Sequence, residues 1–371
     1  MEHSFTSNIK AILNDIYVDN ADAIFSHSLL IQYINQKTKS ANKGSKARGS
    51  FANLYAIYVI IEDYINQGFV ASGEYSKYEG AQFVNLFNRQ RELPFGNRLQ
   101  NHALNNRMNS EFQKFFPTSE ITPILRNLET NRYWFNENLI VVHIQERDFN
   151  IADAVIKIID EYVKVKQDSF QRFITHCESI QNIEKDKNKE ISDFVFGLLA
   201  PNVDARLFEI VSYSILKFYY QDKTIIWGYD IDNLNTEVLK LYKTGRTNAN
   251  DGGIDFVMKP LGRFFQVTET LDFKKYFLDI EKIEKYPITF VVKSEETILD
   301  LQRKLRDNAL KLYIIESIVD KYMECIEELI NIPVLRSCFE TVQDKGLLSS
   351  VLDEIIMQSK VEFNYEDDED N

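Results

Sequence analysis

At 371 residues, with 44 % hydrophobic and 13 % aromatic side chains, the chain has room for two globular domains, or for one large core with a helical elaboration. Thirteen glycines and seven prolines exclude a low-complexity polymer, and no run supplies the ~18 uncharged apolar residues that a membrane-crossing helix needs. The net charge of −13 opposes binding to a polyanion unless a positive field is built locally, but residues 361–371 hold six of the acids and no base, so the body is only mildly acidic.

Met1 to Phe5 lacks the basic and apolar regions of a secretory leader, and Cys177, Cys325 and Cys338 are few, odd in number and widely spaced. Both features lead us to expect a reducing, cytoplasmic setting. The first ~190 residues read mostly as helices. Ile9, Ile12, Leu13 and Ile16 repeat at helical spacing, and a similar stripe runs from Ala21 to Ile34. Lys37, Lys39, Lys43, Lys46 and Arg48 then alternate with small polar residues up to Ser50. They suit a DNA-backbone contact, and equally a solvated surface loop. Phe51 to Ile65 is apolar enough to be a core helix. Asn97 would cap a helix to Phe116, with Leu104, Met108, Phe112 and Phe115 as its apolar stripe. On another face Asn101, Asn105 and Asn109, flanked by Arg98, His102 and Arg107, could read base edges or form a plain solvated surface. A strand over Leu139 to Ile144 and a helix over Ile151 to Val165 follow. The polar stretch from Ile183 to Asp193 marks a domain boundary, separating a helical region 1–190 from a second domain 191–360 and an acidic, disordered tail 361–371.

Past Pro201 the pattern changes. A buried helix from Leu207 to Ile215 contains a single acid, Glu209. Strands are predicted at Thr224 to Trp227, Val238 to Tyr242, Ile254 to Met258, Phe264 to Thr268 and Ile288 to Val292, with a helix from Phe273 to Tyr286. That order indicates a mixed sheet flanked by helices, an α/β or α+β domain. Long helices are expected over Glu295 to Ser317 and Ile318 to Leu329, and two more after Pro333.

The chemistry gathers at Gly245 to Val257 and Gly262 to Glu269. Asp255 lies between Ile254 and Phe256 on a short apolar strand, where a lone carboxylate costs several kcal/mol unless a partner or a metal neutralises it. Mg²⁺, bound through oxygens and retaining waters, would serve. A turn over Lys259 to Arg263 makes the two strands a hairpin that brings Gln266 beside Asp255. Arg246, Asn248 and Asn250 precede the strand and suit contacts with phosphates or bases, although Asx and Gly residues equally suit turns, which is the reading for Asp251. The five histidines show no metal-binding spacing, and no phosphate loop, dinucleotide fingerprint or nucleophile elbow is present, so no nucleotide cofactor is expected.

A helix with an embedded acid, then a hairpin carrying Asn250-Asp251-Gly252-Gly253-Ile254-Asp255 and Gln266-Val267-Thr268, resembles the core of the PD-(D/E)XK nucleases, type II restriction endonucleases in particular. The resemblance covers about Asn202 to Val292, a quarter of the chain, and Arg91 to Gly96 has a similar flavour. It implies a PD-(D/E)XK-type mixed sheet, a bacterial cytoplasmic enzyme of a restriction-modification system, and Mg²⁺-dependent hydrolysis of double-stranded DNA at a specific sequence by a homodimer. It also implies metal-site roles for Asp255, Gln266 and Glu209. The pattern departs at Thr268, where the family has lysine; Lys259 and Lys274 are the nearest replacement cations in sequence. Two rival readings remain: a nuclease-fold DNA-binding module without catalysis, and an acidic protein-interaction or DNA-mimic protein.

Overall fold

A computed structural model describes residues 2–39, 47–97, 99–181, 188–201, 203–244, 254–269, 271–313 and 315–363. Helices dominate and the strands form small sheets, an α+β arrangement with no helix among the described residues long and apolar enough to cross a membrane. The chain divides into two compact units, Met1–Ile174 with Lys360–Asn371, and Thr175–Ser359. The division falls inside a helix, ahead of the polar stretch at 183–193 where sequence placed it. Of the acidic tail, residues 364–371 lie outside the described residues.

The first unit opens with α1 (Thr6–Tyr17), α2 (Ala21–His27), α3 (Leu29–Thr38) and α4 (Ala47–Asn66). Every residue from Phe51 to Ile61 is buried, so α4 is apolar all round because it is enclosed all round. Next come α5 (Phe69–Ser72), β1 (Ala81–Gln82), α6 (Phe83–Glu92), a π-helical turn (Ala103–Arg107), α7 (Met108–Phe115), β2 (Ile124–Asn127) and β3 (Arg132–Phe135). After these come α8 (Glu137–Ile140), β4 (Val141–Ile144), β5 (Arg147–Asn150) and the 30-residue α9 (Ala152–Gln181), which passes into the second unit after Ile174. The strand expected over Leu139 to Ile144 thus begins as a helical turn. The predicted helix from Asn97 is also corrected: its first turns widen to π winding, and Phe115 is exposed rather than part of the stripe of Leu104, Met108 and Phe112.

One polar network ties α3, α4 and α7 together. Glu111 accepts from Lys37 Nζ at 2.5 Å and Asn53 Nδ2 at 2.8 Å through one oxygen, and from Arg107 Nε at 2.9 Å through the other. Lys37, assigned by sequence to the basic loop, is therefore occupied within the fold. Burial raises the Glu111 carboxyl, but the Lys37 and Arg107 cations outweigh it and hold the group below the ordinary glutamate range. A depressed folded-state pKa adds stability above the unfolded value, which is lost as the pH falls through the folded one. Glu111→Gln should accordingly lose less stability than wild type as the pH falls below about 4.5, the ordinary glutamate value, measured by urea unfolding at each pH.

The second unit continues with α10 (Asn188–Leu198), α11 (Ala205–Tyr220), β6 (Thr224–Gly228), β7 (Leu234–Val238), β8 (Lys240–Lys243), β9 (Phe256–Lys259), β10 (Arg263–Thr268), α12 (Phe273–Lys282) and β11 (Ile288–Val292). It ends with α13 (Ile298–Leu310), α14 (Glu316–Glu324), β12 (Ile326–Ile330), α15 (Ile332–Asp344) and α16 (Leu348–Phe363). Five strands form one sheet in the order β12-β11-β10-β9-β8, parallel across β10, β11 and β12 and antiparallel from β10 to β8. On one face Phe264, Ile288, Phe290 and Val292 pack against Tyr276, Phe277 and Ile280 of α12 and Leu301 and Leu305 of α13. The opposite face meets α11, with Phe256 5.2 Å from Tyr213 and Phe265 6.5 Å from Tyr220, ring centre to ring centre. The period of two separates Phe264 from Phe265 and so feeds both layers.

Two expectations are corrected here. Ile326–Ile330 is a strand, not the end of a helix, because Ile326, Leu329 and Ile330 pair with β11 while Glu327 and Glu328 meet Arg263. The strand expected over Val238 to Tyr242 is split between β7 and β8. Those two belong to different sheets, since among the described residues β7 pairs with β6 alone, in a separate two-stranded ribbon.

Candidate metal site at the carboxyl end of the sheet

Three apolar residues commit β10 to the middle of the sheet, and its polar members must be placed around them. Gln266 is 8 % exposed, with its Nε2 donating to the Val267 carbonyl at 3.3 Å and its buried Oε1 accepting from no partner among the described residues. A buried acceptor left unmade costs about 1–3 kcal/mol, so this oxygen is one that an ordered water or a bound cation would satisfy.

Asp255 sits one residue before β9 and grips β10 on both sides of Gln266. Its amide donates to the Phe265 carbonyl at 2.9 Å, and its Oδ2 accepts from the Val267 amide at 2.7 Å. The Thr244 amide donates to the Asp255 carbonyl at 2.9 Å, and the Thr244 hydroxyl sits against the Ile254 and Asp255 carbonyls, so the end of β8 fixes the same point from the other side. The hairpin predicted from sequence is present, with Phe256 opposite Phe265 and Gly262 turning it at φ 67°.

Two lysines that sequence reading did not single out flank this pair. Lys243 ends β8 opposite Phe256, next to Asp255, and its Nζ lies 3.2 Å from Glu209 Oε1 on α11. Lys293 follows β11 directly, its amide donating to the Thr268 carbonyl at 2.9 Å. Its side chain is 2 % exposed, and its Nζ donates to Glu269 Oε1 at 2.8 Å and to the Val203 carbonyl, 5.7 Å from the Phe208 ring centre. The signal was there in Lys293, a lysine closing a five-residue apolar strand, but only the parallel register Thr268↔Val292 brings it beside Thr268. Thr268 itself is buried.

The cations nominated from sequence fare differently. Lys259 is at the hairpin end of β9, four residues or about 13 Å along the strand from Asp255, exposed and lying 5.5 Å from the Tyr242 ring centre. It is at the wrong end of the strand to serve Asp255. Lys274 is exposed in the first turn of α12, beyond Thr268, where its amide donates to the capping Asp272 at 3.1 Å. Glu209 reaches the same edge of the sheet, already paired with Lys243.

Asp255 and Gln266 therefore offer a carboxylate and an amide oxygen, the hard donors that suit Mg²⁺ with several waters retained. Among the described residues no three of His, Cys, Asp and Glu converge as a metal cluster. Arg246, Asn248, Asn250 and Asp251, with Lys43, Lys46 and Arg98, lie outside the described residues, and of Arg48 only the backbone, in α4, is described. The asparagine row is partly committed to packing. Asn105 Oδ1 accepts from the Tyr133 hydroxyl at 3.1 Å, and Asn109 exchanges two 2.9 Å bonds with the backbone of Ile124, while Asn101 is half-buried at the start of the π turn. No family model, no curated protein and no solved structure matches the chain.

Proposed function

We propose that the chain is a Mg²⁺-dependent endonuclease of double-stranded DNA, with a PD-(D/E)XK-type core and the sequence specificity of a type II restriction enzyme. The observation that carries this reading is the buried Oε1 of Gln266, without a partner among the described residues, on a strand gripped by Asp255 at both neighbouring residues. Asp255 and Gln266 would hold the ion. When bound, it would polarise a phosphate oxygen and lower the pKa of a water for in-line attack. Lys243 is the cation best placed to face the scissile phosphate, since it ends the strand beside Asp255 and Glu209 holds its ammonium at that edge. This assigns Glu209 a positioning role through Lys243.

Incubation with phage DNA and Mg²⁺, followed by sequencing of fragment ends, should yield discrete ends sharing one sequence. DNA left intact with Mg²⁺ would remove the catalytic reading. Salt-sensitive duplex binding without cleavage would then select a DNA-binding module, which the carboxylate pairing of both lysines favours.

A further inference from the structure

Among the described residues the β6–β7 ribbon joins no other strand, and it exposes apolar side chains along its length: Ile226 is 65 % exposed, Leu234 55 % and Val238 42 %. A lone two-stranded ribbon is marginal in water. This one is nonetheless closed tightly, since a Cβ at Gly228 would fall 2.1 Å from the Asn233 carbonyl oxygen, and Asn233 Nδ2 donates to both Asp230 oxygens at 2.7 and 2.8 Å. Both strands of the ribbon are edges, and β7, with all five of its residues exposed, is the more open of the two.

The hydrogen-bond phase of that edge follows from its inner pairing. Leu239 donates to the Lys223 carbonyl at 2.8 Å, and β6 and β7 pair with Ile225 opposite Glu237 and Trp227 opposite Asn235. Bonded and non-bonded pairs alternate, so Glu237 and Asn235 point their backbone groups inward, and Leu234, Thr236 and Val238 point theirs away from β6. No backbone partner meets those three among the described residues. Of the usual guards, Thr224 to Val238 contains no lysine, arginine or proline, and the one charge on β7 is Glu237.

We infer that β7 pairs antiparallel with β7 of a second copy of this chain, about a two-fold axis through Thr236. In that register Leu234 faces Val238 of the second copy, Thr236 faces itself, and all outward amides and carbonyls are met by about six hydrogen bonds. Asn235 comes opposite Glu237 of the other copy, an amide beside a carboxylate. A two-fold centred on Glu237 would set like charges opposite each other, and one centred on Asn235 would leave Val238 unpaired. The strand is thus self-complementary in polarity, charge and bonding phase only about Thr236, and the result is a four-stranded sheet from two marginal ribbons. Asp230, Asp232 and Glu237, with no base among them, make the ribbon a poor surface for nucleic acid. The inference stands on the ribbon alone and does not depend on the nuclease reading.

Sedimentation equilibrium of the full chain tests it. Wild type should give twice the chain mass of 43.4 kDa, and Thr236→Pro should give the monomer mass. Proline removes an outward N–H and spares the bonds to β6, so the far-UV spectrum and the melting midpoint measured at low protein concentration should be those of wild type. Leu234→Lys, which sets a charge against Val238 of the other copy, should also dissociate the pair and serves if the proline variant fails to fold. Monomeric wild type at about 100 µM, or a dimer that survives both substitutions, would overturn the inference.

Discussion

Asp255→Asn is expected to abolish Mg²⁺-dependent DNA cleavage, lowering the single-turnover rate at least ~100-fold, while leaving the denaturant midpoint nearly unchanged. The two effects separate because Asp255 has two jobs. Its Oδ2 accepts from the Val267 amide at 2.7 Å, and the asparagine amide oxygen can still do so. The negative charge that would hold the ion is lost. Asp255→Ala removes both, so the Val267 amide loses its acceptor and the fold should give up a further ~1–3 kcal/mol. Comparison of the two variants by cleavage rate and by urea titration therefore divides the site's chemistry from its architecture. If Asp255→Asn cut DNA as fast as wild type, the carboxylate would be a structural clamp on β10 and nothing more.

That clamp also explains what could be read from the residues and what could not. β10, β11 and α12 were legible because each is bounded by turn or capping residues and rich in residues that suit it: Phe264, Phe265, Val267 and Thr268 in β10, an apolar and β-branched run in Ile288–Val292, and an Asp272 cap before Phe273. Asp255 and Gln266 were brought together by a hairpin, a local device whose register depends on a short turn. Ile326–Ile330 was misread because Ile-Glu-Glu-Leu-Ile suits a helix as well as a strand, and the decision was made by β11, distant in sequence. The same reason hid Lys243 and Lys293. Each becomes part of the site only through a strand pairing, Lys243 opposite Phe256 and Lys293 beyond Thr268↔Val292, and spacing along the chain pointed instead to Lys259, which the hairpin carries to the far end. β7 escaped notice because Leu-Asn-Thr-Glu-Val has no buried face; its pattern makes sense as an edge.

The two lysines should separate in function as they do in burial. Lys293 is enclosed by Glu269, the Val203 carbonyl and the Phe208 ring, so Lys293→Met deprives Glu269 of its counter-ion and Val203 of a donor. Breaking a buried pair by removing one partner costs about 3–5 kcal/mol. The lower end applies here because the Glu269 side chain is 35 % exposed and regains water. Urea unfolding should thus show a loss of about 3 kcal/mol, and Glu269→Gln should cost much less in the Lys293→Met background than alone, the coupling expected of groups that bond directly. Lys243 is 15 % exposed, paired at 3.2 Å with a Glu209 of similar exposure, and stands next to Asp255. Lys243→Met should therefore depress cleavage per folded molecule more than it depresses stability, with Lys293→Met doing the reverse. A Lys293→Met protein that stayed folded, bound duplex DNA and failed to cut would move the phosphate-facing role from β8 to the end of β11, beside the threonine that stands where the resembled family has its lysine.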